Sequence, residues 1–95
     1  MKKIFKYQLQ PKPENLVEMP KGSRVLTIQT QGSAPNIWAE IDPDAPRIKR
    51  KFFIVATGQP MEIPETSSYL GTFQIQDGAL VFHVYTDNTE YAVDP

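Results

Sequence analysis

Apolar and polar residues alternate along most of this chain with a period of two, the pattern of strands that bury one face. The pattern is plainest from Tyr69 to Thr86, YLGTFQIQDGALVFHVYT, where two alternating runs flank Asp77-Gly78. Asp-Gly between such runs is the strongest short-range hairpin signal, because a type I′ turn needs positive φ at both central positions. A two-residue turn there sets Ile75 opposite Leu80, Phe73 opposite Phe82 and Gly71 opposite Val84 on a core face. The other face pairs Gln74 with Val81, Thr72 with His83 and Leu70 with Tyr85. Gly71 opposite Val84 leaves a shallow notch in the core face, where another chain or ring can approach closely.

Upstream, Lys3 to Leu9 reads as a first strand with Phe5, Tyr7 and Leu9 on one side, ended by Pro11 and Pro13. Asn15 to Met19 fits a short strand or a loop, and Pro20-Lys21-Gly22 a turn. Arg24 to Thr30 is rich in Val, Ile, Leu and Thr and reads as a strand. Gln31 to Pro35 has hairpin length, and Asn36 to Asp42 returns with Ile37, Ala39 and Ile41 on one face and Trp38 on the other. Asp42 to Pro46 is a turn cluster. Arg50 to Thr57 is apolar on both faces, and Gly58 to Ser68 is the longest irregular stretch. None of the nine prolines falls inside the alternating runs, so they read as punctuation between strands. No window carries a helical stripe of useful length. These elements predict an all-β protein, a small antiparallel meander forming a sandwich or half-open barrel. Residues 1–86 form a single β domain, followed by a polar C-terminal tail over 87–95. A chain this short supplies little material to cover a strand that is apolar on both faces. That predicts a homo-oligomer, a two-fold dimer first of all, with a monomer curled on itself as the alternative.

Composition narrows the chemistry. Ninety-five residues suffice for one modest core, and a net charge of −1 gives no general attraction to nucleic acid or an anionic membrane. Sequence-specific DNA binding is not expected. The absence of cysteine removes disulfides, thiolate metal sites and cysteine nucleophiles. Lys6, Gln8 and Gln10 interrupt the N-terminal apolar residues, so neither a signal peptide nor a membrane span is expected. His83 is the sole histidine and has no sequence-level metal partner. Asp42, Asp44 and Glu40 lie close together but lack the glycine of a calcium loop. A Ser67 or Ser68, His83, Asp87 triad can be written on paper, without a nucleophile elbow or oxyanion glycines to accompany it. No enzyme, metal or cofactor is therefore expected.

The candidates that remain are binding groups. Thr72, His83 and Tyr85 stand in a row on one hairpin face and suit either a ligand or a surface half covered by the Gly58–Ser68 loop. Arg47, Lys49, Arg50 and Lys51 form the basic cluster, with Arg50 on the opposite face from the other three. Facing Trp38 on a neighbouring strand, they would make a stacking and phosphate site; otherwise they protect an edge against aggregation. Thr57, Gly58 and Gln59 end a strand in a turn whose N–H groups could meet an anion, or where Gly58 simply supplies positive φ.

The order of KIFKYQL at Lys3–Leu9, EMPKGSRVLTIQTQ at Glu18–Gln31, a Trp strand ending IDPDA, then ATGQP, YLGTFQ and LVFHVY resembles a family of small phage-encoded proteins of unassigned function. The resemblance runs nearly to Thr86. It departs at the loop, where Ala56 stands for a glycine and Gln59 for a histidine, so a role for a loop histidine does not carry over, while His83 remains. It implies a phage accessory protein acting in the host bacterial cytoplasm. Some such proteins sequester nucleotide immune signals, and others block a host protein. The first expectation is thus a binding protein that sequesters a small anionic ligand, such as a cyclic or NAD-derived nucleotide. Trp38 would stack on its base, Lys49 and Arg50 would meet phosphates, Thr57, Gly58 and Gln59 would supply loop hydrogen bonds, and Thr72, His83 and Tyr85 would read polar edges. The alternative is inhibition of a host protein through a sheet face or edge strand.

Overall fold

The computed structural model describes residues 1–93, so the last two positions of the tail lie outside the described residues. Within them every regular element is a strand: β1 (Lys3–Gln8), β2 (Glu14–Pro20), β3 (Arg24–Gln31), β4 (Ala34–Ile41), β5 (Arg47–Ala56), β6 (Ser68–Ile75), β7 (Leu80–Thr86) and β8 (Tyr91–Ala92). All pair antiparallel, in two sheets that do not close on themselves. Sheet A has the order β1-β4-β3, and sheet B the order β2-β5-β7-β6, with β8 also paired to β5. This is the all-β sandwich that the alternation predicts. Only β3–β4 and β6–β7 join sequence neighbours within a sheet.

The core lies between the sheets. Ile37 of β4 clusters with Ile28 of β3, Met19 of β2, Ile48 and Phe52 of β5, Phe73 of β6, Val84 of β7 and Leu9, and Ala39 and Ile41 of β4 are also buried. Placing about eight such side chains out of water, at about 1.5–3 kcal/mol each, is the main term holding the sheets together. The Asn15–Met19 segment is a strand because it lies along β5, from Glu14 opposite Phe53 to Pro20 opposite Arg47. β5 also begins earlier than its apolar run, since Arg47 to Lys49 pair with β2 on one side and, at Ile48 and Lys49, with β8 on the other. The polar tail is therefore tied to the sheet, and the Asp87 N–H donates to Lys51 O at 3.1 Å.

The hairpin turn forms as expected: Asp77 and Gly78 have φ of 53° and 87°, and Ala79 N–H donates to Gln76 O at 3.0 Å. The register holds from Ile75–Leu80 to Gly71–Val84, then slips by one residue. Leu70 is the extra residue of a bulge, so Tyr69, not Leu70, stands opposite Tyr85. The slip turns Leu70 inward against the core and brings Tyr69 to the outer face, 58% exposed. A second bulge lies between Val25 and Thr27 of β3.

The notch at Gly71 is filled from within the chain. Ile28 of β3 presses on it so closely that a Cβ at position 71 would collide with Ile28 Cγ2. β3 and β6 thus seal one side of the sandwich. Gly71→Ala is expected to lower stability by about 1–3 kcal/mol through overpacking, read from the urea midpoint, and to cost less in an Ile28→Ala background, where the colliding Cγ2 is gone.

Candidate functional site

The register distributes the sequence-predicted residues over three places. Trp38 lies on the outer face of sheet A, between Lys6 of β1 and Thr27 of β3, and is half-buried. Lys49 lies on the outer face of sheet B, opposite Glu18 and Tyr91. The two face away from each other across the core, so the expected stacking and phosphate site does not assemble.

Arg50 also differs from expectation. It points into the protein, 7% exposed, because its neighbours Ile48 and Phe52 set the inward parity of β5. Its Nη1 donates to Ser23 O at 2.7 Å, and its Nη2 to Glu90 Oε2 at 3.2 Å. Its Nε is shut off from solvent without a partner. Arg50 lines a cleft of about 510 Å³ beside Tyr69, Thr86 and Asn88, with two of its donors committed to Ser23 and Glu90. Of the other cations in the cluster, Arg47 makes a loose surface pair with Glu18 at 3.6 Å, and Lys51 lies 4.9 Å above the Tyr91 ring.

Thr57, Thr72, His83 and Tyr85 do come together, on the outer face of sheet B. Cross-strand pairing aligns Phe53, Tyr85 and Tyr69 in one row and Val55, His83 and Thr72 in the next. Tyr69 and Tyr85 meet edge to face at 5.5 Å. His83 Nε2 lies 2.8 Å from Thr57 Oγ1, and Nδ1 lies 2.9 Å from Thr72 Oγ1, which in turn bonds the Tyr69 hydroxyl. One assignment lets each group donate once: Tyr69 to Thr72, Thr72 to Nδ1, Nε2–H to Thr57, and Thr57 to Val81 O. Both ring nitrogens are then occupied. The paper triad is not formed, because Asp87 accepts from Tyr91 and Thr89, and Ser68 from Asn88. Among the described residues no three His, Cys, Asp or Glu side chains converge to hold a metal ion.

A second region was not anticipated. Where β5 and β6 finish and β7 begins, Ser33 and Pro35 of the β3–β4 hairpin are the part of sheet A that borders the core face. There Ile54, Phe73, Ile75 and Phe82 of the core face line an open pocket of about 520 Å³. Its side walls are Pro11 and Pro13 of the β1–β2 link, Pro35, and Gln59 to Ile63 of the long loop. The Gly58–Ser68 stretch therefore lines the core face, where Gln59 joins it, while Gly58 takes the positive φ of a turn (87°). Phe73 and Phe82 stack with ring centres 5.3 Å apart in the pocket wall. Lys12, Glu14 and Glu62 stand at its rim. The hairpin register identifies these apolar residues as core-facing. The structure shows in addition that Ile54, Ile75 and Phe82 remain half-buried there while Phe73 is buried.

The chain belongs to a protein family described as a domain of unknown function, DUF7352, which matches residues 1–93. No curated protein and no solved structure matches it.

The Arg50 site titrates in a defined sense. The Gly22 N–H and the Arg50 guanidinium hold the Glu90 carboxyl below its usual range, against an opposing effect of burial. For Asp87, burial raises the pKa, but hydrogen bonds from Thr89 and Tyr91 outweigh it and leave the pKa lowered. A depressed folded-state pKa adds stability above the unfolded-state carboxyl range, and that stability is lost as pH falls through the folded value. Glu90→Ala is expected to cost about 3 kcal/mol at neutral pH by leaving the buried guanidinium unpaired. Glu90→Gln is expected to flatten the acid limb of stability against pH; an unchanged acid limb in urea melts would remove Glu90 from this role.

Proposed function

We propose that this protein is a non-enzymatic binding module whose ligand is a small, uncharged, ring-containing molecule seated in the open-end pocket. The observation that carries this reading is the pocket itself. Its volume falls within the ~300–1,000 Å³ range of small-molecule sites, and its walls are mainly apolar with a few polar groups at the mouth. The Phe73–Phe82 pair offers a flat surface against which a ring packs well. The rim sets two glutamates against one lysine, which disfavours a polyanion such as a nucleotide. The enclosure of His83 between two threonines supports a positioning role over acid–base chemistry. The resemblance to small phage-encoded proteins supports an accessory role in a bacterial host's cytoplasm.

A second reading, inhibition of a host protein by docking on the outer face of sheet B, is favoured by the exposed Tyr69 beside Tyr85 and His83.

Titration with a neutral naphthalene-type fluorescent probe tests the pocket. One probe per chain is expected, and Ala56→Trp, which fills the pocket from β5, is expected to weaken binding about tenfold or more, equivalent to about 1.4 kcal/mol. Probe affinity that is indifferent to Ala56→Trp but falls with Tyr69→Ala would sink the pocket reading and favour the sheet face.

A further inference from the structure

β3 and β6 cover one another, which leaves β1 and β2 as the unpartnered outer strands of their sheets. They do not pair with each other although they are consecutive. The link between them is pinned elsewhere: Leu9 N–H donates to Pro35 O, Gln10 N–H to Asn15 Oδ1, and Ile54 N–H to Pro13 O. The seam this leaves is visible at Phe5, which by register shares the inward face with Ala39 yet is 44% exposed.

The outward faces of the two free strands are complementary. The alternation places Ile4 of β1 between Lys6 and Lys2, which immediately precedes the strand, and on β2 it places Leu16 between Glu14 and Glu18. Lys2 Nζ donates to Glu40 Oε1 at 3.1 Å and Lys6 Nζ to Gln31 Oε1 at 2.7 Å, exposed contacts of the kind that exchange at little cost. Ile4 is 61% and Leu16 51% exposed. Because each triplet is symmetric about its apolar centre, setting Ile4 beside Leu16 brings lysine beside glutamate in either strand direction. Glu14 and Glu18 remain available, since their contacts to Lys51 at 4.0 Å and Arg47 at 3.6 Å are loose surface pairs.

We infer that β1 of one copy pairs with β2 of a second copy, and that a two-fold dimer forms both such seams at once. This goes beyond the pocket reading and does not rest on it. Exposed edges with lysines ordinarily deter self-pairing. Here they deter β1 meeting β1, where lysine would face lysine, and favour β1 meeting β2, where opposite charges lie across the strands. An isologous dimer satisfies both edges and leaves no open end for further growth.

The chain has no cysteine, so introduced thiols report the contact cleanly. Ile4→Cys and Leu16→Cys are made as separate proteins. Under mild oxidation their mixture is expected to give a disulfide-linked heterodimer, and each alone much less. In sedimentation velocity, Lys6→Glu is expected to weaken the dimer at least tenfold, and reversal of all four charges, Lys2→Glu and Lys6→Glu combined with Glu14→Lys and Glu18→Lys, to restore it. A chain that stays monomeric at the highest attainable concentration overturns the inference. So does a dimer whose mixed cysteine variants do not cross-link faster than either variant alone.

Discussion

The buried guanidinium of Arg50 ties together the parts of this fold that sheet pairing leaves separate. It sits on β5, the strand with most partners in sheet B, and reaches Ser23 in the link that carries the chain from β2 to β3. Its other arm reaches Glu90, whose same oxygen accepts from the Gly22 N–H at 2.7 Å. One carboxylate and one guanidinium therefore bind the β2–β3 link, the central strand and the C-terminal segment into a unit. A charge this deep is tolerated only because it is paired and hydrogen-bonded. The same arrangement already neutralises Arg50 from within the chain.

A three-stranded sheet against a wider one leaves core-facing surface with nothing opposite it. Chain connectivity decides where that surface appears. At the Arg50 end, the β2–β3 link and the C-terminal segment border a cleft that is lined partly by polar groups. At the other end the proline-bearing β1–β2 link, the β3–β4 hairpin and the long loop stand beside an apolar gap. Prolines suit such walls because they have no N–H to leave unsatisfied on an apolar surface. The pocket thus follows from sheet widths and crossovers, with no residue obviously reserved for it.

That is also why the sequence shows it poorly. Alternation identifies each strand's faces, and Asp77-Gly78 sets the hairpin register, so Phe73, Phe82 and Val84 are legible as one face and Thr72 with His83 as the other. Periodicity carries no information on which sheet a strand joins, and hence Trp38 and Lys49 could be imagined together when they lie on opposite outer faces. Arg50 was legible as opposite in parity to Lys49 and Lys51. The misleading step was to read its charge as a sign of exposure, when Glu90, forty positions away, neutralises it inside. Leu70 was misplaced by a bulge that no turn residue announces.

The strand order also has a meaning in time. Every strand of sheet A lies within the first 41 residues, so a chain emerging from its N-terminus holds all of that sheet by Ile41. β2 is made among them but finds its partner only when β5 has followed, and sheet B gains its last strand at Ala92. The apolar side chains of β2 therefore wait through the synthesis of about a third of the molecule. Non-local pairing of this kind is slow and leaves an unpaired strand exposed meanwhile. Glu14 and Glu18 flank Leu16 throughout that interval, placing charge on a segment that stands open meanwhile.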